Sequence, residues 1–272
     1  MPENEPINSA LLDAPQEPTP AAVAPVWHTV VLLVGIVALS VAGASRLSSI
    51  HNSSNRLMTY GISAVTELAM LGWVLLGLRL RKISLYALLG SVSLDIRAVV
   101  QDIGVALAFW VVSLTVLGAL GLFWSEVEAV VTHRQPAIHA GQTLAPDPSR
   151  LHAVRALAQL APSNDEEIAA WTLLCVLAGV VEEIVFRGYL QRQFTAWAHG
   201  AAASGVVFSA LAFGAAHGYQ GVRNMVLLAV FGALFSMLAL FRRNLRAGIF
   251  AHSWHDLIAG LALALLRSHH LI

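Results

Sequence analysis

Long apolar runs separated by short polar stretches set the pattern of this chain. They cover about 27–44, 57–78, 103–123, 201–216, 222–240 and 247–266, and another follows the polar residues at 163–167. Each approaches the roughly 20 residues that a helix needs to cross the hydrocarbon core of a bilayer. The pattern predicts an all-α polytopic membrane bundle of about seven transmembrane helices, with six to eight as the bounds.

The segments between the runs differ in kind. Residues 1–25 carry Pro2, Pro6, Pro15, Pro18, Pro20 and Pro25 with Glu3, Glu5, Asp13 and Glu17. Such a composition cannot bury a core, so 1–25 reads as a disordered tail, ahead of a membrane domain over 26–272. The tail lacks the basic n-region of a signal peptide. Residues 124–167 form a long polar connection. Within it Leu151, Val154, Leu157 and Leu160 recur at helical spacing beside Arg150 and Arg155, which predicts a short interfacial amphipathic helix. Ser163-Asn164-Asp165-Glu166-Glu167 reads as a helix N-terminus.

Composition agrees with the pattern. Of 272 residues 57% are hydrophobic and 12% charged, about half the charge of a soluble domain, and the mean hydropathy is +0.69. Sixteen basic and sixteen acidic residues cancel, which removes any electrostatic case for nucleic-acid binding. The single Cys175 cannot form an intrachain disulfide. With seven spans, one side receives Arg79, Arg81, Lys82, Arg97, Arg187, Arg192, Arg242, Arg243 and Arg246, and the positive-inside rule makes that side cytoplasmic. The N-terminus is then expected inside and the C-terminus outside.

A few ionisable residues break the apolar runs, and at membrane depth such groups are functional candidates by default. Glu182, Glu183 and Arg187 lie in one segment. Four-residue spacing puts Glu183 and Arg187 on one helix face, as a structural ion pair, and leaves Glu182 without a local partner. His217 ends an apolar run just before Gly218. In the last run the same spacing lets Asp256 hydrogen-bond His252 and fix its tautomer. A turn near His199-Gly200 would fold two helices so that Glu182 and His217 come level. His252 would lie on the order of 10 Å below the cytoplasmic face, at 1.5 Å per residue. Glu182, His217 and His252 are thus expected at one cavity. Each has a bland alternative: a buried acid paired across helices for Glu182, an interfacial histidine before a glycine stop for His217. His255 reads as a packing residue, and Glu67 as an acid paired within the bundle.

Glu182-Glu183-x-x-x-Arg187, Phe213-x-x-x-His217 and His252-x-x-x-Asp256 together resemble the three signature motifs of the CPBP family. These are intramembrane proteases related to CAAX prenyl endopeptidases and to bacteriocin-processing or self-immunity (Abi) proteins. The resemblance spans 165–266. It implies that Glu182 is the general base that activates water, that His217 shares that water, and that His252, held by Asp256, stabilises the oxyanion. The prenyl endopeptidases carry Asn where this chain has Asp256. The family's usual label is metalloprotease. Whether the water is held by a divalent metal such as zinc, with Glu182, His217 and His252 as ligands, or acted on directly stays open.

The function expected is therefore an intramembrane endopeptidase in the cell membrane (inner or plasma). Its partners would be the lipid bilayer and a membrane-associated or prenylated peptide or protein, by CAAX-type or leader and immunity processing. The alternative is a non-catalytic immunity or scaffold protein of the same fold. A proton-relay transporter would need inverted repeats and broken helices, which the sequence does not display.

Overall fold

Backbone amides in lipid must find partners within their own segment, and the apolar runs do so as helices. The structure is a computed structural model that describes residues 21–47, 53–131, 154 and 157–269. Helix α1 is Val26–Leu47, α2 Ser53–Leu80, α3 Leu85–Leu89 and α4 Ile96–Val131. Helix α5, Asp165–Glu182, runs without a break into a π-helical segment, Glu183–Leu190, and then into α6, Gln191–Trp197. Helix α7 is Ala202–Ala216, followed by a 3-10 turn at Gly218–Gln220, α8 (Val222–Arg242) and α9 (Arg246–Ser268).

Six helical stretches are long and apolar enough to cross a membrane, and α7 is a shorter apolar one, within the six to eight expected. At 15 residues α7 is about 22 Å long, less than the roughly 30 Å of the hydrocarbon core. Helix α4 exceeds the predicted run at both ends. Hydropathy marks the apolar part of a helix, whereas the polar flanks around Arg97, Asp102, Glu126 and Glu128 stay helical beyond it.

The ends form where the sequence places its caps. Asn164 takes the N-cap of α5, its side chain accepting from the Glu167 amide at 2.9 Å, with Asp165 and Glu166 in the first turn. The turn between α6 and α7 needs left-handed backbone, supplied by His199 (φ 53°) and Gly200 (φ 96°). The amphipathic helix expected over 151–160 falls largely outside the described residues.

One boundary needs correction. Residues 21–25, assigned to the tail on composition, are held in place: Val23 and Ala24 are buried. Their amides donate to Gln193 Oε1 at 2.8 and 3.1 Å, and Gln193 Nε2 donates to the Ala24 carbonyl at 2.9 Å. Composition cannot register a buried amide side chain 170 positions away. Residues 1–20 lie outside the described part.

The two ends of the bundle are tied differently. At the end where α1 and α9 begin, buried Asp102 of α4 binds Arg242 and Arg246, with Arg242 Nε at 2.9 Å from its Oδ1. Arg192 there donates to the Ala87 and Leu88 carbonyls. At the other end Arg56 Nε meets Glu167 at 2.9 Å, and Arg267 donates to the Ala158 and Pro162 carbonyls at 2.6 and 3.0 Å. Helix α1 thus starts at the end opposite to the one where α9 stops, as an odd number of crossings requires.

Candidate active site

The site begins with the π-helical segment. Every residue from Glu183 to Leu190 is buried. The Gln191 amide donates to the Phe186 carbonyl, the i→i+5 bond of a π-turn, and Ser209 Oγ of α7 donates to the same carbonyl at 2.6 Å. Such wide turns are rare and concentrate at functional sites. Helical periodicity expects an unbroken α-helix here, because nothing in the local sequence reports the hydroxyl that α7 brings to Phe186.

Glu183 and Arg187 pair as the spacing predicts, Arg187 Nη1 to Glu183 Oε1 at 2.9 Å, with both side chains almost fully buried. Arg187 lies over the rings of Phe213 at 4.4 Å and Phe235 at 5.0 Å, a cation–π setting that offsets part of its desolvation. Glycine makes room for this pair: a Cβ on Gly248 of α9 would stand 2.8 Å from Glu183 Oε2.

His252 does not hydrogen-bond Asp256 as the i,i+4 spacing predicts. Its Nδ1 lies 3.1 Å from Glu183 Oε1, while Nε2 is 3.7 Å from both Asp256 Oδ2 and Glu182 Oε2, beyond hydrogen-bond distance. A carboxylate only accepts, so Glu183 fixes the proton on Nδ1 and turns Nε2 toward Glu182 and Asp256. The interhelical carboxylate wins because the π-segment brings Glu183 against α9, and the Asp256 side chain stays 32% exposed.

His217 terminates α7. Its Nδ1 donates to the Phe213 carbonyl one turn back, at 2.9 Å, which leaves Nε2 as the acceptor of the neutral ring. Tyr219 follows in the 3-10 turn, where burial pushes its phenol up to about 12.

These groups meet at two adjoining cavities. One, of about 420 Å³, is lined by Glu182, His217, His252, His255 and Asp256 together with Glu67. The other, of about 210 Å³, is lined by Ser40, Ser63, Glu67, Glu182, His217 and Tyr219. The expected convergence of Glu182, His217 and His252 is therefore present. Glu182 Oε2 is buried and has no hydrogen-bond partner, the state of a carboxylate oxygen that is left for a water or substrate. His255 accepts from Trp110 Nε1 at 3.2 Å and packs on Phe231 at 4.8 Å between ring centres, the packing role read from its position.

Residues 164–258 match the family model described as type II CAAX prenyl endopeptidase Rce1-like. This part of the chain is similar to that family. The match bears out the resemblance carried by the three motifs, all of which fall inside the Rce1-like segment. No curated protein and no solved structure matches the chain. The Rce1-like segment supplies Glu182, Glu183, Arg187, His217, His252 and Asp256, but both cavities are completed by α2, from outside it. Glu67 of α2 faces the site and makes no ion pair among the described residues, contrary to the bundle pairing expected of it. Thr59, Ser63 and Glu67, at four-residue spacing on a largely apolar helix, are the sequence signal that marks this face.

Among the described residues no group of three His, Cys, Asp or Glu side chains is arranged to hold an ion. Glu182, His217 and His252 line one cavity, and with both Nδ1 atoms engaged each ring leaves Nε2 as its remaining nitrogen.

Proposed function

We propose that the chain is an intramembrane endopeptidase that hydrolyses a peptide bond in a membrane-associated substrate, of the CAAX-type prenylated class or a processed leader. The observation that carries this reading is the unpartnered Glu182 carboxylate beside His217 and His252 in a cavity within the bundle. A carboxylate buried there without a partner costs several kcal/mol in stability, and a role as general base gives that cost a purpose.

In the mechanism we infer, a water sits between Glu182 and His217 Nε2. Glu182 takes its proton as the oxygen attacks the scissile carbonyl, and His217 orients the water through its lone pair. His252, with Nδ1 held by Glu183, directs Nε2 at the developing oxyanion and donates to it when Nε2 carries a proton. Arg187 holds Glu183 in place through the 2.9 Å pair. Asp256 sits beside Nε2 at 3.7 Å and shapes the local field without fixing the ring. The basic end of the bundle, with Arg192, Arg242, Arg243 and Arg246, would face the cytoplasm.

The test is cleavage in liposomes of a farnesylated CAAX peptide and of a set of single-span helices, with and without a strong chelator. Cleavage that survives the chelator supports water activation by Glu182 alone. Cleavage lost to it and restored by zinc assigns Glu182, His217 and His252 a ligand role. No cleavage of any substrate, with tight binding of a membrane partner, would favour the immunity or scaffold reading.

A further inference from the structure

Hydrolysis of an amide needs two proton transfers, one from the water and one to the leaving nitrogen. Glu182 accounts for the first. Most of the other protons at the site are engaged. The Nδ1 proton of His217 is given to the Phe213 carbonyl and that of His252 to Glu183. The Tyr219 hydroxyl is tied to its neighbour, accepting from Gln220 Nε2 at 3.0 Å. Asp256 lines only the larger cavity.

Glu67 stands differently. It lines both cavities, as Glu182 does. Its Oε2 is buried and without a hydrogen-bond partner, as is Glu182 Oε2. The neighbouring threonines do not satisfy it: Thr59 and Thr66 donate to the Asn55 and Ile62 carbonyls of their own helix. No Lys or Arg lines either cavity among the described residues. Two carboxyl groups that line the same two cavities, with no Lys or Arg in either lining, disfavour each other's ionisation. A proton kept by either of them is a donor at the site.

Resting on the endopeptidase reading, we propose that Glu67 is the general acid of this site, protonating the leaving amine nitrogen. Water attacks the carbonyl carbon and its proton passes to Glu182. The tetrahedral intermediate then collapses: the C=O bond re-forms, the C–N bond breaks, and the nitrogen takes the proton of Glu67. The products are a carboxylic acid and an amine. Proton transfer from Glu182 to Glu67 restores the starting state. The acid thus comes from α2, outside the Rce1-like segment, and the chemistry requires α2 to be seated against α5.

An ester in place of the scissile amide separates this role from a structural one, because an alkoxide leaves with far less need of a proton. The probes are a farnesylated CAAX peptide and its depsipeptide with an ester at the scissile position, assayed with the full chain in liposomes. Glu67→Gln is expected to cut amide cleavage by about 10²–10⁴-fold and to leave ester cleavage within several-fold of native. Glu182→Gln is expected to lose both. The amide-to-ester ratio is read within each variant, so it does not depend on the folded fraction; should Glu67→Gln not accumulate, Glu67→Ala, which also lacks the acid, gives the same ratio. An unchanged ratio, or full amide cleavage by Glu67→Gln, overturns the assignment while the native enzyme remains active. A native chain that cleaves neither probe overturns the endopeptidase reading and the acid with it.

Discussion

Glu183 Oε1 lies 3.1 Å from His252 Nδ1, across two helices and 69 positions of sequence. The same oxygen is 2.9 Å from Arg187 Nη1. One buried carboxylate therefore holds a cation on its own helix and orients a ring on another. The motif's second glutamate is a positioning residue, itself anchored by the guanidinium.

Arg187→Ala is expected to lower both folded yield and activity. Removing one member of a buried pair leaves the other's charge uncompensated, at about 3–5 kcal/mol. Thermal melts in detergent with cleavage assays check this. A variant as stable as native, with a defect in catalysis alone, would refute the structural role of the pair.

Glu182→Gln should fold as the native protein does and lose activity by about 10²–10⁴-fold, the usual worth of a positioned base. Its carboxylate has no Arg or Lys held against it as Glu183 has; the nearest ring nitrogen, His252 Nε2, is 3.7 Å away, and Gln keeps the shape of the side chain. The purified variant's melt and its turnover of the farnesylated peptide are the measurements. Turnover near native would remove Glu182 from the mechanism.

Asp256→Asn is expected to be mild, within about tenfold in activity. The ring of His252 takes its orientation from Glu183 at 3.1 Å and not from Asp256 at 3.7 Å, so an amide at 256 leaves the Nδ1 bond intact. Glu183→Gln should be the deeper lesion, since an amide can present a donor to Nδ1 in place of the acceptor. A loss in Asp256→Asn as deep as in Glu182→Gln would show that the charge at 256 is required.

These contrasts mark what was legible in the sequence. The apolar runs gave the spans because lipid demands a local property, a continuous apolar length. The Glu183–Arg187 pair was legible because four-residue spacing is also local. The partner of His252 was not: spacing proposes Asp256, and only the packing of α5 against α9 ranks Glu183 ahead of it. The π-turn depends on Ser209 reaching the Phe186 carbonyl from α7. Glu67 carried a signal, the Thr59-Ser63-Glu67 stripe, but its missing cation could be seen only once both cavities had their linings. The depth argument that brought Glu182 level with His217 worked because His199 and Gly200 both form the left-handed turn it required.

The contact that seats His252 can be tested through a glycine. Helices α5 and α9 approach so closely that a Cβ on Gly179 would stand 2.2 Å from Ser253 Oγ and 2.9 Å from the Ser253 backbone nitrogen. Small residues permit such approaches between helices in a membrane. A rotamer change could move the Ser253 hydroxyl aside, but the backbone nitrogen cannot yield without shifting α9, and Ser253 is the neighbour of His252. Gly179→Ala should therefore cost about 1–3 kcal/mol, as overpacking does, and should weaken catalysis by moving the His252 ring off Glu183. Gly72 of α2 has nothing within 4 Å of a built Cβ, so Gly72→Ala is the control and should leave both melt and activity unchanged. If Gly179→Ala matched that control in both measurements, the close packing of α5 on α9 could not be what positions His252.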